Sequence, residues 1–157
     1  MEDNKLQLAK QIYKTLCEAI EAREWSFNKD EERLAVYFEV NGEDIPIKLI
    51  LIVDAERQLI RLLSPLPFDV AEDKRMDMAI AVCAANYGIS DGGFDYDISE
   101  GSILFRLTSS FRNSVIGEGL LQYMLSCACV LVDKYNDQFL AINKGVMDIS
   151  QFLSKDK

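Results

Sequence analysis

The sequence predicts an α+β fold, an antiparallel sheet with helices packed on it in the order α-β-β-β-α-β-β-α. Three observations carry this. Apolar residues recur at three- and four-residue spacing in three long segments, as on one face of a helix. Shorter segments between them alternate apolar and polar with period two, as strands do. Turn signals such as Asn41-Gly42 join neighbouring strands directly, which hairpins require.

The first helix runs from about Lys5 to Arg23. Ala9, Ile12, Tyr13, Leu16, Cys17 and Ile20 share one face, and Asn4 or Asp3 is placed to cap its start. A strand follows from Arg33 to Val40, with Leu34, Val36, Phe38 and Val40 on one side. After the Asn41-Gly42 turn comes a second strand, Ile45 to Asp54, then a turn at Asp54-Ala-Glu-Arg57 and a third strand, Gln58 to Leu66. Pro65 and Pro67 end this run, because neither can donate to a ladder.

The second helix spans Ala71 to Tyr87, with Asp69 as a candidate cap and Gly88 as a C′ glycine. It carries two apolar stripes: Met76, Ala79, Ile80, Cys83 and Tyr87, and Met78, Val82 and Ala85. Gly93 to Ile98 and Ser102 to Thr108 form a further hairpin through Ser99-Glu-Gly101. The third helix starts near Ile116 or Gly117 and runs to about Asn143, where Gly145 reads as a stop. Its stretch Leu120 to Val132 is apolar nearly all round but too short for a bilayer, which needs about 20 residues. Met147 to Leu153 adds a further turn or two, and the tail beyond it frays.

The central strands are apolar on both sides. Ile45, Ile47, Leu49, Leu51 and Val53 line one face of the second strand, while Ile50 and Ile52 stand on the other. Leu59 and Leu63 likewise oppose Ile60 and Leu62 on the third. Both faces are therefore expected to be covered. A further helix covers the second face, or another polypeptide does.

Composition excludes several classes of function. The 157 residues carry 17 Lys+Arg against 26 Asp+Glu, a net charge of −9. Such a surface repels phosphate backbones and anionic membranes, so neither nucleic acid nor membrane is expected as a partner. Histidine is absent, which removes the Ser-His-Asp triad, the Cys-His pair and His-ligated zinc. The remaining acids and bases titrate farther from neutrality.

Cys17, Cys83, Cys127 and Cys129 each sit among apolar neighbours, as buried free thiols do. Cys127 and Cys129, two apart on a helix, point roughly 200° apart and cannot share one tetrahedral ion. No metal or cofactor is expected. The polar, charged start of the chain has no apolar run of signal-peptide type. A reducing cytoplasm is the expected location.

One region carries a family likeness. Ala84-Ala-Asn86-Tyr-Gly, then Gly93-Phe94-Asp-Tyr96-Asp97, then Gly101-Ser-Ile-Leu-Phe105-Arg106 resembles the signature of YbjN-like domains, whose fold is that of type III secretion chaperones. The likeness in element order extends from about Lys5 to Gly145. Tyr87 stands where the family usually carries a basic residue. The resemblance implies a single domain over residues 1–157, with a core at about 5–145 and a C-terminal extension at 146–157. It also implies a small, often dimeric cytoplasmic protein that is regulatory or chaperone-like and without known catalysis.

The polar motifs have structural readings. Asp91-Gly-Gly-Phe-Asp95-Tyr-Asp97 fails as a calcium loop: Gly93, Tyr96 and Ser102 occupy the third, sixth and twelfth positions. Asp97 and Arg106 are placed to form a cross-strand ion pair. Asn86, near a helix end, is expected to bond neighbouring backbone. No phosphate loop is present, and Ser109-Ser110 lacks a base.

The expected function is therefore that of a non-enzymatic homodimer that binds a protein client. Met76 and Met78 on the second helix and Tyr123, Met124 and Leu131 on the third are the candidate partner or dimer contacts, since methionine-bearing surfaces adapt to varied partners. The alternative is a small-molecule sensor or enzyme with a pocket between helix and sheet.

Overall fold

The computed structural model describes residues 2–155. Helix α1 spans Glu2–Glu21 and buries the expected stripe, with Ile12, Leu16 and Ile20 almost wholly out of solvent. It starts earlier than expected, so Asn4 lies inside its first turn rather than capping it. Next come strands β1 (Asn28–Asp30), β2 (Ala35–Val40), β3 (Ile47–Asp54) and β4 (Leu59–Pro65). After a 3-10 turn at Glu72–Lys74, α2 covers Arg75–Tyr87, followed by β5 (Gly93–Asp97) and β6 (Ser102–Ser110). Helices α3 (Glu118–Asn143) and α4 (Ile149–Lys155) complete the order.

All six strands form one antiparallel sheet in the order β1-β2-β3-β4-β6-β5. The β3–β4 hairpin turns where Asp54 accepts the Arg57 N–H at 2.9 Å and Gln58 takes a positive φ of 58°. β6 inserts between β4 and β5, because α2 carries the chain across the sheet before β5 returns beside β6. The short β1 was not expected; Asn-Lys-Asp offers neither alternation nor apolar content.

Burial alternates along the strands and marks one face. Val36, Phe38, Leu49, Leu51, Val53, Ile60, Leu62, Phe105 and Leu107 are buried. The helices pack on this face. Tyr13 of α1 donates to Ala35 O at 3.0 Å, and Phe94 of β5 meets Tyr135 and Phe139 of α3 at 5.7 and 5.2 Å between ring centres. The opposite face carries Tyr37, Ile50, Ile52, Leu63 and Leu104, all half-buried.

The expectation that a further helix covers the second face is thereby corrected. Side chains facing away from the helix layer shield one another across the register pairs Tyr37↔Ile50 and Ile50↔Leu63. That mutual cover leaves each of them partly exposed.

α3 owes its nearly uniform apolarity to its position, since it touches α1, α2 and the sheet. It stops as expected at Gly145, whose φ is +75°. Val146 N–H reaches Ala141 O at 2.9 Å and Gly145 N–H reaches Ile142 O at 3.1 Å, the paired bonds of a Schellman cap.

Asp148 and Gln151 then start α4 with a reciprocal capping box. Gln151 N–H donates to Asp148 Oδ1 at 2.8 Å, and Asp148 N–H to Gln151 Oε1 at 2.9 Å. Phe152 of α4 is fully buried, 6.0 Å from the Phe139 ring.

Two expected caps on α2 are absent. Asp69 makes no side-chain cap bond. Asn143 of α3 fixes that entry segment instead, donating to Asp69 O at 3.1 Å and accepting from Ala71 N at 2.8 Å. Gly88 ends the helix with φ −90°, ordinary backbone rather than the left-handed C′ conformation.

Candidate functional site

The region that carries the family likeness is built from backbone contacts. The last turn of α2 brings Asn86 beside β5. Its Nδ2 donates to Phe94 O at 2.9 Å, and Phe94 N–H donates to its Oδ1 at 2.7 Å. Phe94 is an edge-strand residue, so this amide satisfies the two backbone groups turned away from β6. It blocks the edge to another strand at that position.

The two glycines that follow the helix permit the approach. Gly92 has φ +81°, and a Cβ there would lie 2.8 Å from Arg106 O; one at Gly93 would lie 3.3 Å from Asn86 Oδ1. Asn86 therefore has the expected backbone duty. Asn86→Ala strips both groups of their partner, and we expect a loss of about 1–3 kcal/mol, read as a lower urea midpoint with an unchanged slope.

The expected Asp97–Arg106 pair is replaced by another. Arg106 holds Asp95 in a two-pronged contact, Nε to Oδ2 at 2.7 Å and Nη2 to Oδ1 at 2.9 Å. Register explains it: Arg106 lies opposite Gly93, next to Asp95 on the same face, whereas Asp97 lies opposite Ser102. Asp97 instead ties the turn, accepting from Ser99 Oγ at 2.6 Å, from Ser99 N at 3.0 Å and from Glu100 N at 3.3 Å. The Ser99 hydroxyl and these N–H groups hold its carboxyl below the usual range.

The five candidate contact residues do not form one surface. Met78 and Met124 are buried in the core, so the expectation that they meet a partner is corrected. Met78 belongs to the α2 stripe that faces inward with Ala81, Val82 and Ala85. Met124 faces inward on α3 with Leu121, Leu125 and Ala128. Leu131 is half-buried against the core. Tyr123 is exposed, its hydroxyl donating to the Asp91 carboxylate.

Met76 is the exception, lying in an exposed apolar patch. Met76 is 71% exposed, Ile80 48%, Tyr87 95% and, from α4, Leu153 38%. With Ala79, Cys83 and Ala84 they line a groove of about 690 Å³. Not one of these seven side chains is charged at neutral pH.

Three of the four thiols have little nucleophilic character. Burial pushes Cys17, Cys127 and Cys129 up from the usual thiol range, and Cys83, expected to be buried, is exposed in the groove. Among the described residues no helix is long and apolar enough to cross a membrane.

A six-stranded antiparallel sheet covered by helices on one face, with α2 crossing between β4 and β5, defines a type III secretion chaperone-like fold. Family models and curated proteins give no match to this sequence. Two solved structures share its architecture. One is YbjN, a candidate transcription regulator from E. coli, with a TM-score of 0.58 at 11% identity over 82% of this chain and 89% of that one. The other is from the HopA1-SchA chaperone-effector complex, with a TM-score of 0.58 at 11% identity over 84% and 97%. The fold is YbjN-like and chaperone-like, as the resemblance in the sequence implied.

Proposed function

We propose that this protein is a non-enzymatic, homodimeric protein-binding module of the cytoplasm, chaperone-like or regulatory, in which residues 1–157 act as one unit. The observation that carries this reading is the apolar groove between α2 and α4. Its most exposed side chains, Met76, Ile80 and Tyr87 with Leu153 of α4, make a contiguous apolar surface of the kind that marks an interaction site.

A second copy can occupy this groove in spite of its own charge. Each chain carries −9, so two copies repel each other wherever carboxylates face carboxylates. The groove lining is free of them, and there the apolar gain meets the least repulsion. The half-buried residues Ile50, Ile52, Leu63 and Leu104 on the open sheet face then remain for a client segment. The two structural neighbours, a candidate regulator and a chaperone–effector complex, support a binding role.

Cys83 tests the assignment, because it lines the groove. Its alkylation rate constant should fall several-fold as the protein is raised from below 1 μM to about 50 μM, as burial in a dimer of about 1 μM affinity requires. An unchanged rate over that range would show that no partner copy covers this face.

A further inference from the structure

On the open side of the sheet β4 presents Leu59, Arg61 and Leu63, because Ile60 and Leu62 between them turn into the core. All three are half-buried, and neighbours in this row stand roughly 7 Å apart along the strand. β4 runs between β3 and β6, which sets Arg61 in the middle of the sheet, opposite Ile52 on one side and Thr108 on the other. A cation thus interrupts the apolar stripe of Ile50, Ile52, Leu63 and Leu104.

That cation has no partner within the chain. Among the described residues Arg61 makes neither an ion pair nor a hydrogen bond, and the ion pairs belong to Lys29, Arg33 and Arg106 instead. The nearby carboxylates of the same face are taken. Asp54 accepts Arg57 N–H, Asp95 holds Arg106, and Asp97 ties its own turn. Glu39 stands opposite Lys48 in the register. A guanidinium among apolar side chains loses hydration, and a carboxylate partner offsets that loss. Its planar fork fits a carboxylate with two parallel bonds. The charge of −9 repels anions over the chain as a whole. A carboxylate therefore gains here only when apolar neighbours carry it onto the stripe.

We infer that Arg61 is the anchor of the client site on the open sheet face. It selects an extended polypeptide segment that carries an acidic residue with an apolar residue two positions to either side. This deepens the client-binding part of the proposed function and rests on it. An extended chain repeats its side chains on one face at the spacing of β4 itself. Its apolar residues then meet Leu59 and Leu63 while its carboxylate meets Arg61.

NMR titration of the full chain with an end-blocked peptide, Gly-Ser-Ile-Thr-Glu-Thr-Ile-Ser-Gly, to about 2 mM tests this. Amide shifts should centre on Ile52, Arg61 and Thr108. Replacing the central Glu of the peptide by Gln or by Lys should weaken binding at least ~10-fold. In Arg61→Gln the Glu and Gln peptides should bind alike, at the affinity of the wild type for the Gln peptide. Equal binding of the Glu and Gln peptides to the same sheet residues of the wild type would overturn the role of Arg61 and leave the client face standing. A preference for Glu that survives in Arg61→Gln would do the same. Absence of any shift on the sheet with all three peptides would overturn both.

Discussion

Phe152→Ala lowers the thermal unfolding midpoint by roughly 10 °C, making it the most damaging single substitution considered in α4. Phe152 is fully buried and meets Phe139, which in turn touches Phe94 and Tyr135. Truncation removes a whole ring from the end of this aromatic series and leaves a cavity, at a cost of about 3–5 kcal/mol. For a chain of this size each kcal/mol moves the midpoint by about 2–4 °C. Calorimetry checks the expectation. A shift below about 3 °C would mean that α4 is not part of the cooperative unit. Leu153→Ala, one residue on and partly exposed in the groove, is the contrasting variant and should cost less than half as much.

On the proposed dimer, Ile80→Asp should separate the two copies while leaving the fold intact. Ile80 is about half exposed in the single chain, so the fold loses little when it is replaced. In a two-fold dimer the substitution acts twice, placing two like charges in an interface that otherwise has none in its groove lining. Truncating or mispairing a buried interfacial group costs about 2–5 kcal/mol, so dimer affinity should fall at least ~100-fold. Sedimentation velocity over a concentration series reads this directly. An Ile80→Asp protein that self-associates as tightly as the wild type would place any dimer contact elsewhere. Tyr123→Asp, which changes an exposed α3 position away from the groove, should leave association unchanged.

Much of this architecture was legible because period and punctuation agreed. The stripe from Ala9 to Ile20, the alternation of Val36 and Phe38, and the stop at Gly145 each follow from local geometry. The short β1 was not legible, since a three-residue polar strand is held by its partner and has no pattern of its own. α4 was only partly so. Asp148-x-x-Gln151 is a start signal in the sequence, but Phe152 at its centre gains its weight only from the distant Phe139.

The surfaces were harder to read than the elements. Two apolar stripes on α2 were visible, and only tertiary packing decides that the Met78 stripe turns inward and the Met76 stripe outward. Apolar strands on both sides suggested full cover, yet Ile50 and Leu63 are half-buried mainly by their own cross-strand neighbours. Arg106 chose Asp95 over Asp97 because the register fell four residues from the distant candidate. The bond from Glu43 N–H to Asp133 joins a turn to a helix 90 positions away, a proximity that no local pattern encodes.

Light scattering coupled to gel filtration at tens of micromolar tests the central claim most directly. The account predicts a wild-type mass twice the 17.8 kDa of one chain. A clean 17.8 kDa peak at that concentration would contradict it.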